Sequence, residues 1–485
     1  MREALSERLY AFLPLLSLFF LGGCITVGPD YEAPEISLPD SWQSPYERNV
    51  GETKANQESY WLVFNDSVLN EVIERVGKQN RDLRAALAAI DEARASLGIA
   101  SSERFPSIAV DGSATFDRTS VNVSPVESPI RDRDDTTFSI GPNASWEIDL
   151  FGRVRRSIES ASASFEASEA QYADLLVILY AETAQAYFDF RAVQQRLEFA
   201  TSNVTSQENT LNLTVNRVKA GLAPELDRAQ AELNLNRSRA LLPQLREARD
   251  NLLNALAVLT GDYPWDLAPL LGTEYAEQDS IPIVSVTTVP ADLLRQRPDI
   301  RQAERNLAAQ TAQIGVATAD LYPRFSLNGV FTFDAFDAQD WFNGDSRAFS
   351  IGPFMSWRVF EFGRLRDLIQ VEEARTDQAL AQYEQTVLTA IQEVEDSLSG
   401  LANERRRNGD LRRASEAAEE SVRLSLDLYR SGLVEFDTVL TSEQALLELQ
   451  DSLAESNGIM RQNIVQFYRS IGGGFGIRSP EDPDD

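Results

Sequence analysis

The sequence predicts an α+β membrane protein in which β-hairpins of a transmembrane β-barrel run into very long α-helices. Three observations predict this fold class. Much of the chain is a tandem repeat, two segments in each copy alternate between apolar and polar residues, and each copy contains a long run without proline. Alternation with period two is typical of strands with one apolar face, and a long proline-free run favours a continuous helix.

The repeat is visible in short motifs that recur in the same order. Ser139-Ile140-Gly141-Pro142 recurs as Ser350-Ile351-Gly352-Pro353, and Phe151-Gly152-Arg153 recurs as Phe362-Gly363-Arg364. The first copy carries extra residues between its two strand-like segments, which indicates a variable exposed loop there. The chain is therefore expected to contain the same supersecondary unit twice.

The strand-like segments separate apolar from polar residues. In the segment 138–150 the even-numbered residues are apolar and the odd-numbered residues are mostly polar, and the segment 325–334 alternates in the same way. The strand from Phe349 is less regular, because Phe354 and Phe360 fall on its polar side. Two strand pairs cannot enclose the core of a soluble sandwich, whereas an apolar outside is what a membrane barrel requires. The residues predicted to face lipid are Phe138, Ile140, Trp146, Ile148, Phe331, Phe333, Ile351 and Trp357.

Four strands are too few to close a barrel, so several chains are expected to contribute. The helical part follows each hairpin, in the proline-free runs 153–217 and 364–430. Gly221 and Gly432 then interrupt the pattern, and shorter helices are expected to return, with Pro243 kinking or interrupting the first of them. Apolar residues in the second run step by threes and fours, as in a coiled coil, at Leu380, Tyr383, Val387, Ala390, Val394, Leu398 and Leu401.

The N-terminus has the features of an export signal. A short apolar run over 11–21 is too short to cross a bilayer and is typical of a signal peptide. It ends in Leu21-Gly22-Gly23-Cys24, which resembles a bacterial lipobox, and Cys24 is the single cysteine of the chain. Lipidation of Cys24 is therefore expected, and Ile25 after it resembles the pattern that sorts lipoproteins to the outer membrane.

Composition excludes several classes of function. The chain has no histidine and one cysteine, which removes histidine-based catalysis, disulfides within the chain and His or Cys metal sites. Its formal net charge of −30 argues against binding to nucleic acid. A hydrolase that uses only carboxylates is conceivable, but no convergent polar cluster marks one. No enzyme activity, cofactor or metal is expected.

Several further motifs lie outside the strand and helix patterns. They are Val27-Gly28-Pro29-Asp30-Tyr31, Trp61, Phe64, Leu294-Arg295-Gln296-Arg297-Pro298-Asp299-Ile300 and Tyr429-Arg430-Ser431-Gly432-Leu433-Val434. Together with the two Phe-Gly-Arg turns, these motifs resemble the TolC-like outer-membrane factors of tripartite efflux systems, in the lipidated OprM/NodT branch. The resemblance covers essentially the whole mature chain.

The resemblance implies a homotrimer whose twelve strands close one barrel in outer-membrane lipid, with a coiled-coil α-barrel in the periplasm. It implies a passive exit duct for drugs or other small toxic solutes, joined through a periplasmic adaptor protein to an inner-membrane pump of the resistance-nodulation-division type. It also implies a periplasmic gate in which Asp227 and Tyr429 form a pair. Where the family has a second gate aspartate this chain has Thr441, with Thr438 one turn earlier.

Two alternatives remain at this point. One is an outer-membrane duct for type I protein secretion. The other is a lipid-anchored periplasmic coiled-coil spacer, against which the outward tryptophans Trp146 and Trp357 argue, because a spacer has no lipid-facing surface for them to occupy.

The predicted segments are a signal peptide (1–23), an N-terminal segment with an equatorial collar (24–75), a first repeat (76–261, hairpin about 105–150, helices 153–217 and 223–261), an inter-repeat segment (262–300), a second repeat (301–472, hairpin about 323–361, helices 364–430 and 434–471) and an acidic tail (473–485).

Overall fold

A computed structural model describes residues 25–36, 57–118, 120, 134–273, 275, 281–282 and 297–475. Cys24, the signal segment and the acidic tail after residue 475 lie outside the described residues. The chain divides into two compact units. Unit 1 comprises the described residues within 1–35, 90–168 and 303–383, and unit 2 comprises those within 36–89, 169–302 and 384–485.

Secondary structure repeats along the chain in the order helix, hairpin, long helix and returning helix. A 3₁₀ segment, Gln57–Phe64, precedes the first repeat, and a second one, Gly344–Ser346, precedes the last strand. The elements are α1 (Ser67–Gln79), α2 (Arg81–Ser102), β1 (Ser107–Arg118), β2 (Asp134–Ile148), α3 (Arg153–Lys219), α4 (Glu225–Thr260), α5 (Pro264–Leu271), α6 (Pro298–Ala319), β3 (Arg324–Ala335), β4 (Arg347–Ser356), α7 (Arg364–Arg430) and α8 (Phe436–Ser470).

Unit 1 contains a four-stranded antiparallel sheet in the order β1-β2-β3-β4. The two hairpins of the repeat lie side by side, because β2 of the first pairs with β3 of the second. Ile140 pairs with Phe333, and Phe331 pairs with Phe349. Since directly paired residues in an antiparallel sheet point to the same side, this register collects the even residues of β1 and β2 and the odd residues of β3 and β4 on one apolar face.

The opposite face of the sheet is polar and is tied together by side chains. Ser139 Oγ donates to Asp334 Oδ1 at 2.6 Å, and Ser145 Oγ donates to Asn328 Oδ1 at 2.9 Å. Phe354, which pairs with Ser326, lies on this polar face, as the sequence predicted. Among the residues that the structure describes, each edge strand, β1 and β4, has a single paired neighbour.

Seven of the eight residues predicted to face lipid lie on the apolar face of the sheet. The eighth, Trp357, follows the end of β4 at Ser356, so the predicted hairpin extends beyond the observed strand. The two tryptophans nevertheless make equivalent contacts at the base of the sheet. Trp146 Nε1 donates to the carbonyl oxygen of Arg104 at 2.9 Å, and Trp357 Nε1 donates to that of Leu321 at 3.0 Å.

The segment that follows Cys24, here called the N-terminal strap (residues 25–36), is locked to the start of α3. The buried Arg156 guanidinium donates to the carbonyl oxygens of Val27 and Gly28 at 3.2 and 3.3 Å, and to Asp30 Oδ1 at 2.7 Å. Gly28 has φ +85°, and a Cβ there would lie 2.4 Å from the Cα of Gly315. The strap therefore crosses α6 with backbone against backbone, which only glycine permits.

The strap is held at a second point by Tyr31. Tyr31 OH donates to Glu304 Oε1 at 3.0 Å, and the Arg305 guanidinium lies 5.5 Å from the centre of the Tyr31 ring. The Val27 amide also donates to the carbonyl oxygen of Phe151, just after β2. The Val-Gly-Pro-Asp-Tyr motif thus contacts both α6 and the junction between β2 and α3.

Unit 2 is built from the long helices. The seam predicted on α7 is buried from Val387 to Leu401, where each of its members is 5% exposed or less. Between α3 and α8 the packing alternates apolar residues with polar layers. The cross-helix hydrogen bonds include those that join Gln185 to Gln466, Asp189 to Gln462, Gln195 to Asn457, Arg196 to Asp451, Asn203 to Gln450 and Thr210 to Glu443.

Pro243 does not interrupt its helix. α4 runs without a break from Glu225 to Thr260, so the expected interruption is wrong. Pro243 lies on an exposed face, where water can hydrogen-bond the carbonyl group that proline leaves without its helical donor. Among the described residues, no helix combines enough length with enough apolar character to cross a membrane.

Candidate functional site

Each long helix of unit 2 ends in the same tight turn before the returning helix. Gly221 and Gly432 both have φ +73°, the left-handed conformation that favours glycine at a helix end. The amide of Leu222 donates to the carbonyl oxygen of Arg217, and the amide of Leu433 donates to that of Leu428. The two turns, here called the tip turns (residues 220–224 and 431–435), place the last residues of α3 and α7 close to the first turns of α4 and α8.

Asp227 and Tyr429 meet directly at this end of the bundle. Tyr429 OH donates to Asp227 Oδ2 at 3.0 Å, although the two residues are 202 positions apart. Tyr429 is 2% exposed, and its pKa is raised above its ordinary value, chiefly by burial and then by the hydrogen bond to Asp227. The phenol is therefore neutral at physiological pH and acts as a donor, and the bond joins the end of α7 to the start of α4.

Arg217, which sequence reasoning missed, completes this cluster. Its guanidinium lies 4.7 Å from the centre of the Tyr429 ring, and its Nη1 donates to the carbonyl oxygen of Arg430 at 2.8 Å. A cation over an aromatic face and a donor to a helix C-terminus are both favourable arrangements. A basic residue in the last turn before Gly221 is the sequence signal that marks it, but that signal does not identify the partner.

Beneath the pair is a small apolar core. Tyr429 packs edge-on against Phe436, with ring centres 5.4 Å apart, and both belong to a buried cluster with Ala231 and Val439. The cluster contains residues of α4, α7 and α8. Moving one of these helices away therefore exposes apolar surface as well as breaking the hydrogen bond.

Thr438 and Thr441 lie apart from this pair. Both are exposed on α8, and the Thr441 hydroxyl donates to the carbonyl oxygen of Asp437 in its own helix. No hydrogen bond among the described residues connects either threonine to Asp227 or Tyr429. The structure thus brings together two of the four residues predicted at the gate and leaves the other two on the surface of the single chain.

Comparison with known proteins gives the family. The model of the outer membrane efflux protein family matches residues 72–262 and 289–473, which make up most of the chain and include both repeats. The chain belongs to the outer membrane efflux protein family. Among curated relatives, the solvent efflux pump outer membrane protein SrpC of Pseudomonas putida is 30% identical over 477 residues, covering 96% of this chain and 98% of the relative.

A second relative and a solved structure are similar over most of the chain as well. Nodulation protein T of Rhizobium leguminosarum bv. viciae is 31% identical over 474 residues, covering 96% of this chain and 93% of the relative. The solved structure of the outer-membrane channel OprN superposes with a TM-score of 0.84 at 35% identity, covering 93% of this chain and 99% of that one. The fold class predicted from the sequence is confirmed, and this efflux family member has the fold of TolC-like trimeric channels.

Membership of this family gives the general function of the chain and its location. The chain is an outer-membrane component of an efflux system, located in the cell outer membrane with its helical part in the periplasm. The family consists of transport channels and is not an enzyme family.

Proposed function

We propose that this family member is a passive homotrimeric exit duct, anchored by lipid at Cys24 and closed at its periplasmic tip by the Asp227–Tyr429 pair. The hydrogen bond between these two residues carries the proposal, because it joins the last turn of α7 to the first turn of α4 at the end of the bundle. Breaking it releases the start of α4 from the end of α7. Thr438 and Thr441 are proposed as exposed tip residues that face their counterparts only in the trimer.

The partners follow from the same end of the bundle. Leu222 and Leu433, in the tip turns, are 67% and 72% exposed, and Leu226 in the first turn of α4 is 63% exposed. Exposed leucines at a tight turn are suited to bind the apolar end of another helical hairpin. We assign this surface to a periplasmic adaptor protein, which links the duct to an inner-membrane pump of the resistance-nodulation-division type.

The proposed cargo is small toxic solutes, organic solvents and drugs among them. The name of the relative SrpC, a solvent efflux pump protein, supports this class. The apolar face of the sheet, with Ile140 and Phe333, is assigned to lipid, and the polar face with its serine and asparagine side chains is assigned to the water-filled interior.

A test compares cells that lack this chain with cells in which it is restored. We expect deletion to raise the intracellular level of an added organic solvent and restoration to bring it back to normal, because the deletion removes the outer-membrane component of the efflux system. The Cys24→Ala variant should lose the acyl mass of the mature protein and restore efflux less well, since two acyl chains give stable anchoring. Unchanged solvent accumulation in the deletion strain would argue against the duct.

A further inference from the structure

A carboxylate, that of Glu443, is buried among the helices of unit 2 that also carry the Asp227–Tyr429 pair. Glu443 and the side chains around it are here called the Glu443 layer. Glu443 of α8 is 4% exposed, and its two oxygens accept hydrogen bonds from two other helices. Thr210 Oγ1 of α3 donates to Oε1 at 2.7 Å, and Asn234 Nδ2 of α4 donates to Oε2 at 3.0 Å. Glu443 is therefore the point at which three helices of unit 2 are joined through one side chain.

All direct partners of Glu443 are neutral. Burial raises its pKa above the ordinary value of 4.5, the bonds from Thr210 and Asn234 oppose that rise, and no charged group contributes a resolved effect. The charged residues nearest along the four helices of this bundle all lie at exposed or half-exposed positions, and they are Glu208, Arg217, Glu232, Arg237, Glu420, Arg423, Asp437 and Glu448. Within the described part of the chain, no cation contacts Glu443, so its negative charge would be unbalanced when it is ionised.

The layer is connected to the proposed gate along two helices. Asn234 follows Asp227 by seven residues on α4, which is close to two helical turns and places both on one face. Thr210 precedes Thr214 by four residues on α3, and the Thr214 hydroxyl donates to the carbonyl oxygen of Thr210 at 2.9 Å. Thr214 also lies beside Tyr429, where its hydroxyl lowers the pKa of that phenol. A change in the packing around Glu443 therefore acts on both members of the gate pair.

A neighbouring side chain shows that this layer is not packed for maximum stability. Gln207 lies three residues before Thr210 on α3 and is 2% exposed. Neither its amide nitrogen nor its amide oxygen has a hydrogen-bond partner among the described residues. A buried amide without partners weakens the packed arrangement relative to one in which water reaches the layer.

We propose that Glu443 is a proton-sensitive positioning residue of the gate, which holds α3, α4 and α8 together when it is protonated and favours their separation when it is ionised. The proposal rests on the proposed function and adds its regulation. The closed bundle binds the proton more tightly than an opened bundle in which water reaches Glu443. The closed state is therefore most stable at acidic pH and loses stability as the pH rises through the raised pKa.

The first experiment measures single-channel conductance of the purified full-length protein in planar bilayers, from about pH 4.5 to about pH 8. Wild type is expected to open increasingly as the pH rises, whereas the Glu443→Gln variant, neutral at every pH, should stay at the low-pH conductance. Glu448→Gln makes the same change on an exposed part of α8 and should keep the wild-type profile. Equal pH profiles of wild type and Glu443→Gln would overturn the proposal.

A second variant distinguishes titration from a merely structural role. Thr210→Val keeps the shape of the side chain but removes a hydrogen bond that lowers the pKa of Glu443. The opening transition should then move to higher pH, because the ionised carboxylate has lost a donor. A transition at the wild-type pH would contradict the assignment of the titrating group.

Thermal unfolding distinguishes a failure of the Glu443 proposal from a failure of the proposed gate. The Glu443→Gln variant should melt about 2 °C or more above wild type near pH 8, with the difference vanishing near pH 4.5. If Asp227→Ala opens the channel while this difference is independent of pH, the Glu443 proposal is overturned and the gate is retained. If Asp227→Ala leaves the channel closed, the gate is overturned, and the regulation proposed for it is overturned as well, even where Glu443 titrates.

Discussion

The Asp227→Ala variant is expected to be an open channel. Removing the carboxylate leaves the buried Tyr429 hydroxyl without its acceptor and releases the start of α4 from the end of α7. A hydrogen bond to a charged group contributes about 1.5–3 kcal/mol, so its loss shifts the ratio of closed to open states by about 10- to 100-fold in each chain. Single-channel conductance in a planar bilayer should rise to a sustained high level, and the outer membrane should become permeable to large antibiotics.

Matched variants decide whether the pair acts as a gate. Tyr429→Phe removes the same hydrogen bond while keeping the ring that packs against Phe436 and Arg217, so it should open the channel nearly as much. Thr201→Val changes an exposed side chain of α3 whose hydroxyl donates to the carbonyl oxygen of Leu197 in the same helix, and it should leave the conductance low. A closed Asp227→Ala channel, or equal opening by Thr201→Val, would contradict the assignment of the pair.

The second large effect is expected at Arg156, which locks the N-terminal strap to α3. Replacing it with methionine leaves the carbonyl oxygens of Val27 and Gly28 without their donor and removes the ion pair with Asp30. Losing three hydrogen bonds to the strap together with the packing of the Arg156 side chain, which is 3% exposed, lowers the free energy of unfolding by about 2–4 kcal/mol. The variant should melt at lower temperature in detergent, and limited proteolysis should cleave the strap before the rest of the chain.

An exposed arginine provides the control. Arg413 pairs with Asp410 on the surface of α7, and both side chains are 73% exposed, so Arg413→Met should change stability by less than about 0.5 kcal/mol. Arg156→Lys keeps the charge but cannot donate in three directions at once, and we expect it to resemble Arg156→Met. A strap that resists protease in Arg156→Met would show that Arg156 does not hold it.

The architecture could be predicted because its signals are local and occur twice. Alternation over 138–150 determines which residues share a face, and the observed register agrees with it. The long helices were predictable from two proline-free runs that end at Gly221 and Gly432. The interruption expected at Pro243 was wrong, because solvent exposure decides whether a helix continues through a proline, and a sequence pattern does not report the exposure of one position.

The site could be predicted only in part. The Asp227–Tyr429 contact was expected through family resemblance, since no local pattern links residues 202 positions apart. Arg156, Arg217 and Glu443 were not predicted, because each owes its role to partners that are distant in sequence. The Glu443–Thr210 contact, for example, spans 233 positions, and a glutamate in a helix is usually a solvated side chain.

The central claim is tested most directly by the mass of the complex extracted from the outer membrane in mild detergent, corrected for bound detergent. The described residues of one chain form four strands, and in that part of the chain each of the two edge strands, β1 and β4, has a single partner. Barrel closure therefore requires other copies. We predict a mass of about three chains in a particle that only detergent releases from the membrane. A protein of one chain mass, or one released by salt, would contradict the trimeric duct.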